Sequence, residues 1–242
     1  AFRGYNVLIG NPFHADTDGD PGFKSPIFKT MHLGKTTSDI TYDLPDGLDG
    51  FKKAICKLDS QSKAISNEKS YQKDLSQKTG SEFGIGDLAP EAFTANKEFT
   101  QKTDKMSKSK SFFVKSETEC NVFELRLDQN NPPKFTEGFL AAVRRLQDVN
   151  DETAYLNFVK SFGTHYLSSI HMGAMIAIET EFEKETRDEL SSEGFNFERG
   201  AKLHFKKINL EMNFSRKKDI TTTNKFEEST QSETILSYGS PI

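Results

Sequence analysis

The sequence predicts an α+β fold in which two amphipathic helices cover one side of a sheet. Two stretches, 111–127 and 172–179, place apolar residues at the spacing of strands. Two more, 134–147 and 153–162, repeat apolar residues at the spacing of helices. The stretch 162–174 joins the second helix to the second strand, so we expect it to lie at a bend of the sheet.

The composition permits a folded domain and narrows its function. Charged residues make up 28% of the chain and apolar residues 34%, with 21 Phe and no Trp, so we expect a lean, Phe-rich core. The formal net charge of −4 provides no field for a polyanion, which argues against a nucleic-acid partner. No run approaches the roughly 18–20 consecutive apolar residues of a transmembrane helix.

The first 58 residues predict short elements joined by turns. Tyr5–Ile9 is expected to form a short strand ended by the turn at 10–12. Asp39–Leu44 alternates like a half-buried strand, and Leu48–Leu58 places its apolar residues on one helical face. The segment 16–22 is dense in Asp and Gly but lacks the ligand spacing of an EF-hand loop, so a solvated turn is preferred to a calcium site.

The region from about 59 to 118 is polar and contains few apolar residues. Ser60–Ser76 fits a polar helix, and 80–86 alternates weakly, with glycines that disfavour a fixed strand. A disordered linker has the same kind of composition. The scattered Phe residues, among them Phe93 and Phe99, favour a folded element instead.

The region 184–236 is a second polar stretch, and its middle alternates. The apolar residues of this middle part lie on two phases: Ala201, Leu203 and Phe205 on the first, and Ile208, Leu210, Met212 and Phe214 on the second. The phase changes at Lys206-Lys207, as at a bulge or turn. A transmembrane β-strand needs about 9–11 residues of this pattern. A half-buried strand in a soluble sheet has the same pattern.

No residue pattern indicates catalysis, so we expect no catalytic residue, metal or cofactor. The five histidines lack His-Glu-x-x-His spacing, and no Cys-x-x-Cys, phosphate loop or nucleophile elbow is present. His165 is the remaining candidate, beside Thr164. Because the other members of a triad are absent, a structural histidine at a helix-to-strand turn is preferred. Cys56 and Cys120 are either two buried thiols or one disulfide.

A motif at the helix-to-strand junction resembles the signature of a known family. Phe162-Gly163-Thr164-His165-Tyr166, followed after six residues by Gly173-Ala174, resembles the signature of the membrane attack complex/perforin (MACPF) family. The family usually has Tyr or Trp at the first position and Gly-Gly at the end, so Phe162 and Ala174 depart from it. Alanine keeps the last position small. The segments 4–12 and 20–23 look like the N-terminal strand region of perforin-like proteins, including the macrophage and parasite branches.

The resemblance implies a MACPF/cholesterol-dependent-cytolysin-like fold across 1–242, with a bent, twisted antiparallel sheet flanked by two helical clusters. The first cluster would be about 59–118 and the second about 184–236. Each would refold into a transmembrane β-hairpin after subunits assemble as a homo-oligomeric ring on a lipid membrane. Gly163, Gly173 and Gly239 would act as joints, although the family usually has two glycines where this chain has only Gly239.

In the inserted form, the second cluster would present one face to lipid and one to a water-filled lumen. The lipid-facing residues would be Ala201, Leu203, Phe205, Ile208, Leu210, Met212 and Phe214. The lumenal residues would be Lys202, Lys206, Asn209, Glu211 and Asn213. Because every backbone polar group in lipid must be paired, this implies a closed barrel of many subunits.

The resemblance also bears on the cysteines and on the whole protein. Cys56 and Cys120 flank the first cluster as a cysteine pair does in the family, which implies a disulfide and a secreted or lumenal location. The chain stops soon after Gly239, so we expect a longer polypeptide with a further C-terminal membrane-recognition domain. The implied function is pore formation, and the alternatives are a non-lytic interaction protein with the same fold and an enzyme.

Overall fold

The protein is described from a computed structural model that divides into two compact units. The residues described are 2–11, 19–56, 60–78, 88, 90–148 and 150–239. The first unit comprises 1–55 and 121–173, and the second comprises 56–120 and 174–242. The predicted weak strand at 80–86 lies outside the described residues, as does part of the Asp-rich segment, 16–18.

The first unit contains a small antiparallel sheet and two helices. The sheet consists of β1 (Arg3–Tyr5), β2 (Phe23–Pro26) and β6 (His165–Tyr166) in the order β2-β1-β6. The helices are α3 (Glu137–Arg144) and α4 (Glu152–Phe162). Thr136 and Asp151 begin them, because each side chain accepts a hydrogen bond from a first-turn N–H group. Both predicted helices are confirmed, although α3 is shorter than 134–147.

The long strands form a five-stranded sheet of order β3-β5-β7-β8, with β4 also paired to β5. Its strands are β3 (Leu48–Cys56), β4 (Gln61–Ile65), β5 (Phe112–Leu127), β7 (Ser169–Phe182) and β8 (Ser232–Tyr238). β4 is antiparallel to β5, and β7 is antiparallel to β8. The predicted strands at 111–127 and 172–179 are confirmed as β5 and β7. The boundary between the two units falls within both of them.

The second unit carries the helices of the two polar regions. They are α1 (Glu68–Lys78), a 3-10 turn (Pro90–Phe93), α2 (Lys97–Lys108), α5 (Lys184–Ser192), α6 (Phe197–Asn209) and α7 (Lys217–Glu228). Asn96 and Asn196 begin α2 and α6, since each side chain accepts a hydrogen bond from the third residue beyond it. In the part of the chain that the structure describes, no helix has the length and apolar character needed to cross a bilayer.

Each unit has its own apolar core, and both cores are rich in Phe. In the first unit the buried cluster is Phe2, Ile27, Phe28, Leu48 and Phe162, with Leu125, Leu127, Phe139, Ala142 and Phe158 packed against it. In the second unit the buried cluster is Phe112, Val114, Phe182, Leu190, Phe197, Ala201 and Phe226. The second core therefore joins the ends of β5 and β7 to α5, α6 and α7. The Phe-rich core expected from the composition is confirmed.

Two predictions in the N-terminal part are wrong. Leu48–Leu58 is not a helix, because Leu48–Cys56 forms β3. Leu48 is 2% exposed and Phe51 48% exposed, as expected for opposite faces of a strand rather than one face of a helix. Asp39–Leu44 is not a strand but mainly a turn, in which Thr37 Oγ1 accepts a hydrogen bond from the Tyr42 N–H. Local side-chain bonds of this kind compete with strand pairing.

Three further segments differ from prediction. The strand predicted at Tyr5–Ile9 already ends at Tyr5, and the Gly10 N–H closes a turn on the Asn6 carbonyl. Ser60–Ser76 is not one helix, because it divides into β4 and most of α1. The alternating segment 201–214 contains no bulged strand, because α6 extends to Asn209.

Candidate functional site

The signature stretch lies where α4 meets β1. Gly163 follows α4 with φ +79°, a conformation that side chains strongly disfavour. A Cβ atom there would lie 2.5 Å from the carbonyl carbon and oxygen of Tyr5, and one at Gly4 would lie 1.7 Å from the Phe162 oxygen. The two backbones therefore touch at positions where only glycine fits.

Thr164 and His165 fasten this junction to β1. The Thr164 N–H donates to the Tyr5 carbonyl (3.0 Å), and its hydroxyl accepts from the Val7 N–H (3.2 Å). His165 Nδ1 lies 2.9 Å from that same hydroxyl oxygen, and His165 pairs with Tyr5 across β6 and β1. These contacts support a structural role for the histidine.

The remaining signature residues lie in different environments. Phe162 is buried and packs edge-on against Phe139, whereas Tyr166 is exposed and contacts the Phe28 ring. Gly173 and Ala174 lie within β7, and the boundary between the two units falls between them. Gly239 follows β8 with φ +88°. The structure thus brings 162–166 together with β1 and places Gly239 in the second unit.

The first unit contains a buried carboxylate that was not predicted from the sequence. Glu124 of β5 contacts Lys53 of β3 and Arg126, and its Oε1 atom lies 3.3 Å from Ser169 Oγ and 3.7 Å from His171 Nε2. Hydrogen bonds from Arg126 and Lys53 lower the pKa of Glu124 to about 2. Ser169 and His171 belong to the interval inside the signature. Lys53, Ser169 and His171 come from adjacent strands, which no local sequence pattern could indicate, whereas Arg126 is only two residues further along β5.

We expect Glu124 to make the first unit sensitive to acid. Its folded-state pKa of about 2 lies below its ordinary value of 4.5, so ionised Glu124 stabilises the fold above that value. The contribution is lost as the pH falls from 4.5 towards 2. Unfolding monitored by a probe in the first unit should lose this pH dependence in Glu124→Gln, and the exposed Glu91→Gln should retain it. An unchanged profile in Glu124→Gln would contradict the assignment.

In the first polar region, two lysines hold α2 on strand β7. Lys102 Nζ lies 2.6 Å from Glu179 and 3.0 Å from Glu98, and Lys105 Nζ lies 2.7 Å from Glu181. Burial alone would lower the pKa of Lys102, but the two carboxylates outweigh it and hold the pKa above its usual value. Glu181 also accepts from Ser111 (2.7 Å) and Ser232 (3.0 Å), so one carboxylate joins α2 to β7 and to the ends of β5 and β8.

Helices α1 and α2 pack through a small aromatic cluster. The Tyr71 ring stacks on Phe99 with centroids 5.5 Å apart, and Phe93 lies 5.4 Å from the same ring. The Tyr71 hydroxyl donates to Glu98 (3.1 Å), and the Lys102 ammonium lies over the Tyr71 ring. The scattered Phe residues favour a folded element over a disordered linker, and Phe93 and Phe99 are buried in helical elements.

In the second polar region, side-chain hydrogen bonds and ion pairs hold α6 to α7 and β8. His204 Nδ1 lies 2.9 Å from Glu227 of α7, and its Nε2 contacts Glu233 of β8. Arg199 pairs with Asp219 at 2.7 Å, and Lys207 pairs with Glu227 at the same distance. Sequence analysis missed these partners because they are 20 to 29 residues apart.

The residues predicted to face lipid divide into two groups in the helical form. Ala201 (3% exposed) and Phe205 (1%) are buried in the second unit. The second-phase residues stay outside the core: Ile208 is 39% exposed, Leu210 39% and Met212 43%. Leu203 and Phe214 are intermediate. In the helical form, Ala201 and Phe205 of the first phase pack in the core. Three large apolar side chains of the second phase remain in contact with water.

The disulfide that the resemblance implies is present between Cys56 and Cys120. It connects the end of β3 to β5 and encloses the first polar region. Across the described ranges, no group of three or more His, Cys, Asp or Glu side chains is arranged to hold a metal ion.

These features define an α+β domain with two polar helical clusters beside one sheet and a glycine junction that fixes β1. The sequence matches the family model for the MAC/Perforin domain over residues 3–240, and the chain belongs to that family. Members are typically non-enzymatic, and they generally act on membranes and oligomerise. No curated protein sequence matches the chain. Its place in the macrophage or parasite branch stays a prediction.

Two solved structures share the fold. GNIP1Aa from Chromobacterium piscinae superimposes with a TM-score of 0.62 at 13% identity, covering 98% of this chain and 42% of that one. A putative cell invasion protein with a MAC/Perforin domain, from Bacteroides thetaiotaomicron VPI-5482, gives 0.50 at 13% identity, covering 98% and 45%. The chain thus spans less than half the length of both proteins. The predicted MACPF/cholesterol-dependent-cytolysin-like α+β class is confirmed.

Proposed function

We propose that this chain is the membrane-inserting domain of a secreted pore-forming protein. Subunits assemble as a ring on a lipid membrane, and the clusters at 59–118 and 184–236 refold into two β-hairpins per subunit. The observation that carries this proposal is the exposure of Ile208, Leu210 and Met212 in the helical form. Ile208 is in the last turn of α6, and Leu210 and Met212 lie beyond it, so the water-soluble form leaves these apolar side chains partly exposed, whereas a strand would place all of them on one face.

The segment 201–214 is compatible with both conformations. Ala201 and Phe205 are four residues apart, which puts them on one face of a helix and also on one face of a strand. In the hairpin, Ile208, Leu210 and Met212 face lipid, while Asn209, Glu211 and Asn213 face the lumen. The burial of apolar surface in the bilayer offsets the loss of the α6 core contacts.

The contacts that hold the clusters also suit a segment that must leave the sheet. α2 is tied to β7 by the Lys102–Glu179 and Lys105–Glu181 ion pairs, and α6 is tied to β8 by His204–Glu233. Lys105 is 53% exposed, so its pair with Glu181 contributes little net stability because water solvates the separated charges well. The Lys102–Glu179 and His204–Glu233 contacts are mostly buried, so the clusters can leave the sheet only if water replaces these contacts as they separate.

A second candidate is a non-lytic interaction protein with the same fold. The described part of the first cluster favours it, because α1 and α2 expose mainly charged and hydroxyl side chains. The principal apolar residues of these helices pack within the cluster and are buried: Tyr71, Leu75 and Phe99. A hairpin from this region would have little apolar surface for lipid.

Environment-sensitive dyes at neighbouring positions distinguish the two candidates. The full-length protein carries an environment-sensitive label on a cysteine introduced as Leu210→Cys or Asn209→Cys. It is added to liposomes that enclose a second, soluble dye, whose release reports pore formation. We expect dye release in both cases, with the label moving into an apolar environment only at position 210, since strand neighbours point to opposite faces. Liposome binding without release, and with both labels remaining in water, would support the non-lytic alternative and overturn pore formation.

A further inference from the structure

The segment between α6 and α7 contains a sequence motif for covalent modification. Asn213-Phe214-Ser215 fits the Asn-x-Ser/Thr pattern of N-glycosylation, in which the middle residue is not Pro. It is the only such tripeptide among the 242 residues. The motif alone is weak, and it functions only where the asparagine is accessible on the surface of a protein that enters the secretory route.

The structure meets the requirement for access. Residues 211–215 form neither helix nor strand, and both Asn213 and Ser215 are exposed. Glu211 follows the C-cap residue of α6, Leu210, and has φ +48°. Among the hydrogen bonds of the described residues, none uses the Asn213 amide group. A substituent on its nitrogen would therefore extend into water without displacing a contact.

The disulfide indicates the same cellular compartment as the N-glycosylation motif. Cys56 and Cys120 form a disulfide, and disulfides persist in oxidising compartments such as the lumen of the endoplasmic reticulum. N-linked oligosaccharides are added to secreted proteins at surface loops. The disulfide and the exposed tripeptide are independent features that point to the same cellular route.

We propose that Asn213 carries an N-linked oligosaccharide that keeps the second cluster in its helical form. The donor is an oligosaccharide attached to a lipid diphosphate. The Asn213 Nδ2 atom forms a bond to the anomeric carbon of the sugar, the bond from that carbon to the diphosphate oxygen breaks, and the amide gives up one proton. The lipid diphosphate is the leaving group, and no oxidant or reductant takes part.

The effect on insertion rests on the proposed function. Asn213 is near the end of the proposed strand 201–214 and lies just before the polar run Arg216–Asp219, which would form the tip of the hairpin. The tip and the strand end that carries Asn213 have to cross the hydrocarbon core during insertion. Each polar group without a partner there costs several kcal/mol, and an oligosaccharide carries many hydroxyl groups. In the helical form the same sugar stays in water.

The modification is tested on the full-length protein secreted from eukaryotic cells. We expect mass spectrometry to find one glycan, on the peptide that contains Asn213, and an amidase that removes N-glycans to convert Asn213 into Asp. Asn213→Gln and Ser215→Ala should lose the glycan, whereas Ser215→Thr should keep it because the tripeptide still fits the motif. Unmodified Asn213 in the secreted protein would overturn the proposal.

The control of insertion is tested by dye release from liposomes. The glycosylated protein should release dye at least about tenfold more slowly than the same preparation after glycan removal. The Asn213→Gln variant should release dye at the rate of the deglycosylated sample. Equal release with and without the glycan would overturn the control of insertion. If no form releases dye although the glycan is present, pore formation fails while the modification site stands, so the two proposals fail separately.

Discussion

Gly163→Ala is expected to lower the free energy of unfolding of the first unit by on the order of 3 kcal/mol or more. Gly163 has φ +79° and ψ −173°, a region essentially restricted to glycine that costs other residues on the order of 1–3 kcal/mol, and overpacking adds about 1–3 kcal/mol. The Cβ atom would lie 2.5 Å from the Tyr5 backbone, which cannot rotate away as a side chain could. Denaturant unfolding with a spectroscopic probe in the first unit measures the loss.

Two other glycines serve as matched controls for Gly163. Gly194 has φ +75° but open space around a Cβ atom, so Gly194→Ala should cost only the conformational part, about 1–2 kcal/mol. Gly138 lies in α3 with open space and an ordinary φ, so Gly138→Ala should stabilise the helix by up to about 1 kcal/mol. If Gly163→Ala costs no more than Gly194→Ala, the close approach of β1 to the junction is not a constraint.

Leu210→Lys is expected to reduce dye release at least about tenfold while leaving the water-soluble form folded. A lysine on the lipid face of a membrane strand costs about 2–4 kcal/mol near the midplane, and every subunit of a ring would bear that cost. In the water-soluble form, Leu210 lies just beyond α6, is 39% exposed and is not part of the second core, so its replacement leaves that core unchanged. Release from liposomes is compared with the thermal unfolding of the soluble protein.

The neighbouring substitution Asn209→Lys provides the control, because it adds the same charge one position earlier. In the hairpin this residue faces the lumen, where a lysine is solvated, so release should stay near that of the unmodified protein. Equal inhibition by both variants would mean that charge itself, and not the lipid-facing position, impairs release. That outcome would contradict the assignment of faces in 201–214.

β5, β7 and α4 lie where the sequence predicted them. Their apolar residues were sufficient to predict the type of element, although burial is continuous over Phe112–Ser116 in β5 rather than alternating. The helix predicted from Leu48 was wrong, because a stretch of nine residues with few apolar positions fits both the helical and the strand period. Segment 201–214 was ambiguous for a related reason, since a four-residue separation satisfies helix and strand alike.

The electrostatic contacts were beyond local prediction for a different reason. Apart from Arg126 on its own strand, Glu124 draws its partners from β3 and β7. Lys102 and Lys105 bind β7 residues that follow 77 and 76 positions later. Such contacts depend on strand register, which a single sequence does not specify. The signature stretch was informative because its glycine and threonine meet backbone requirements that any chain with this junction would have to satisfy.

The Cys56–Cys120 bridge makes the first cluster a covalent ring within the chain. The cysteines are 64 positions apart, and closing a loop of that size restricts the unfolded chain by about 4 kcal/mol in the entropy model. β4 and the first part of β5 lie inside the ring and pair with each other in the sheet, so the segment between them is held at both ends. A protease that cuts once inside the ring leaves both fragments in a single molecule, and they separate only after reduction.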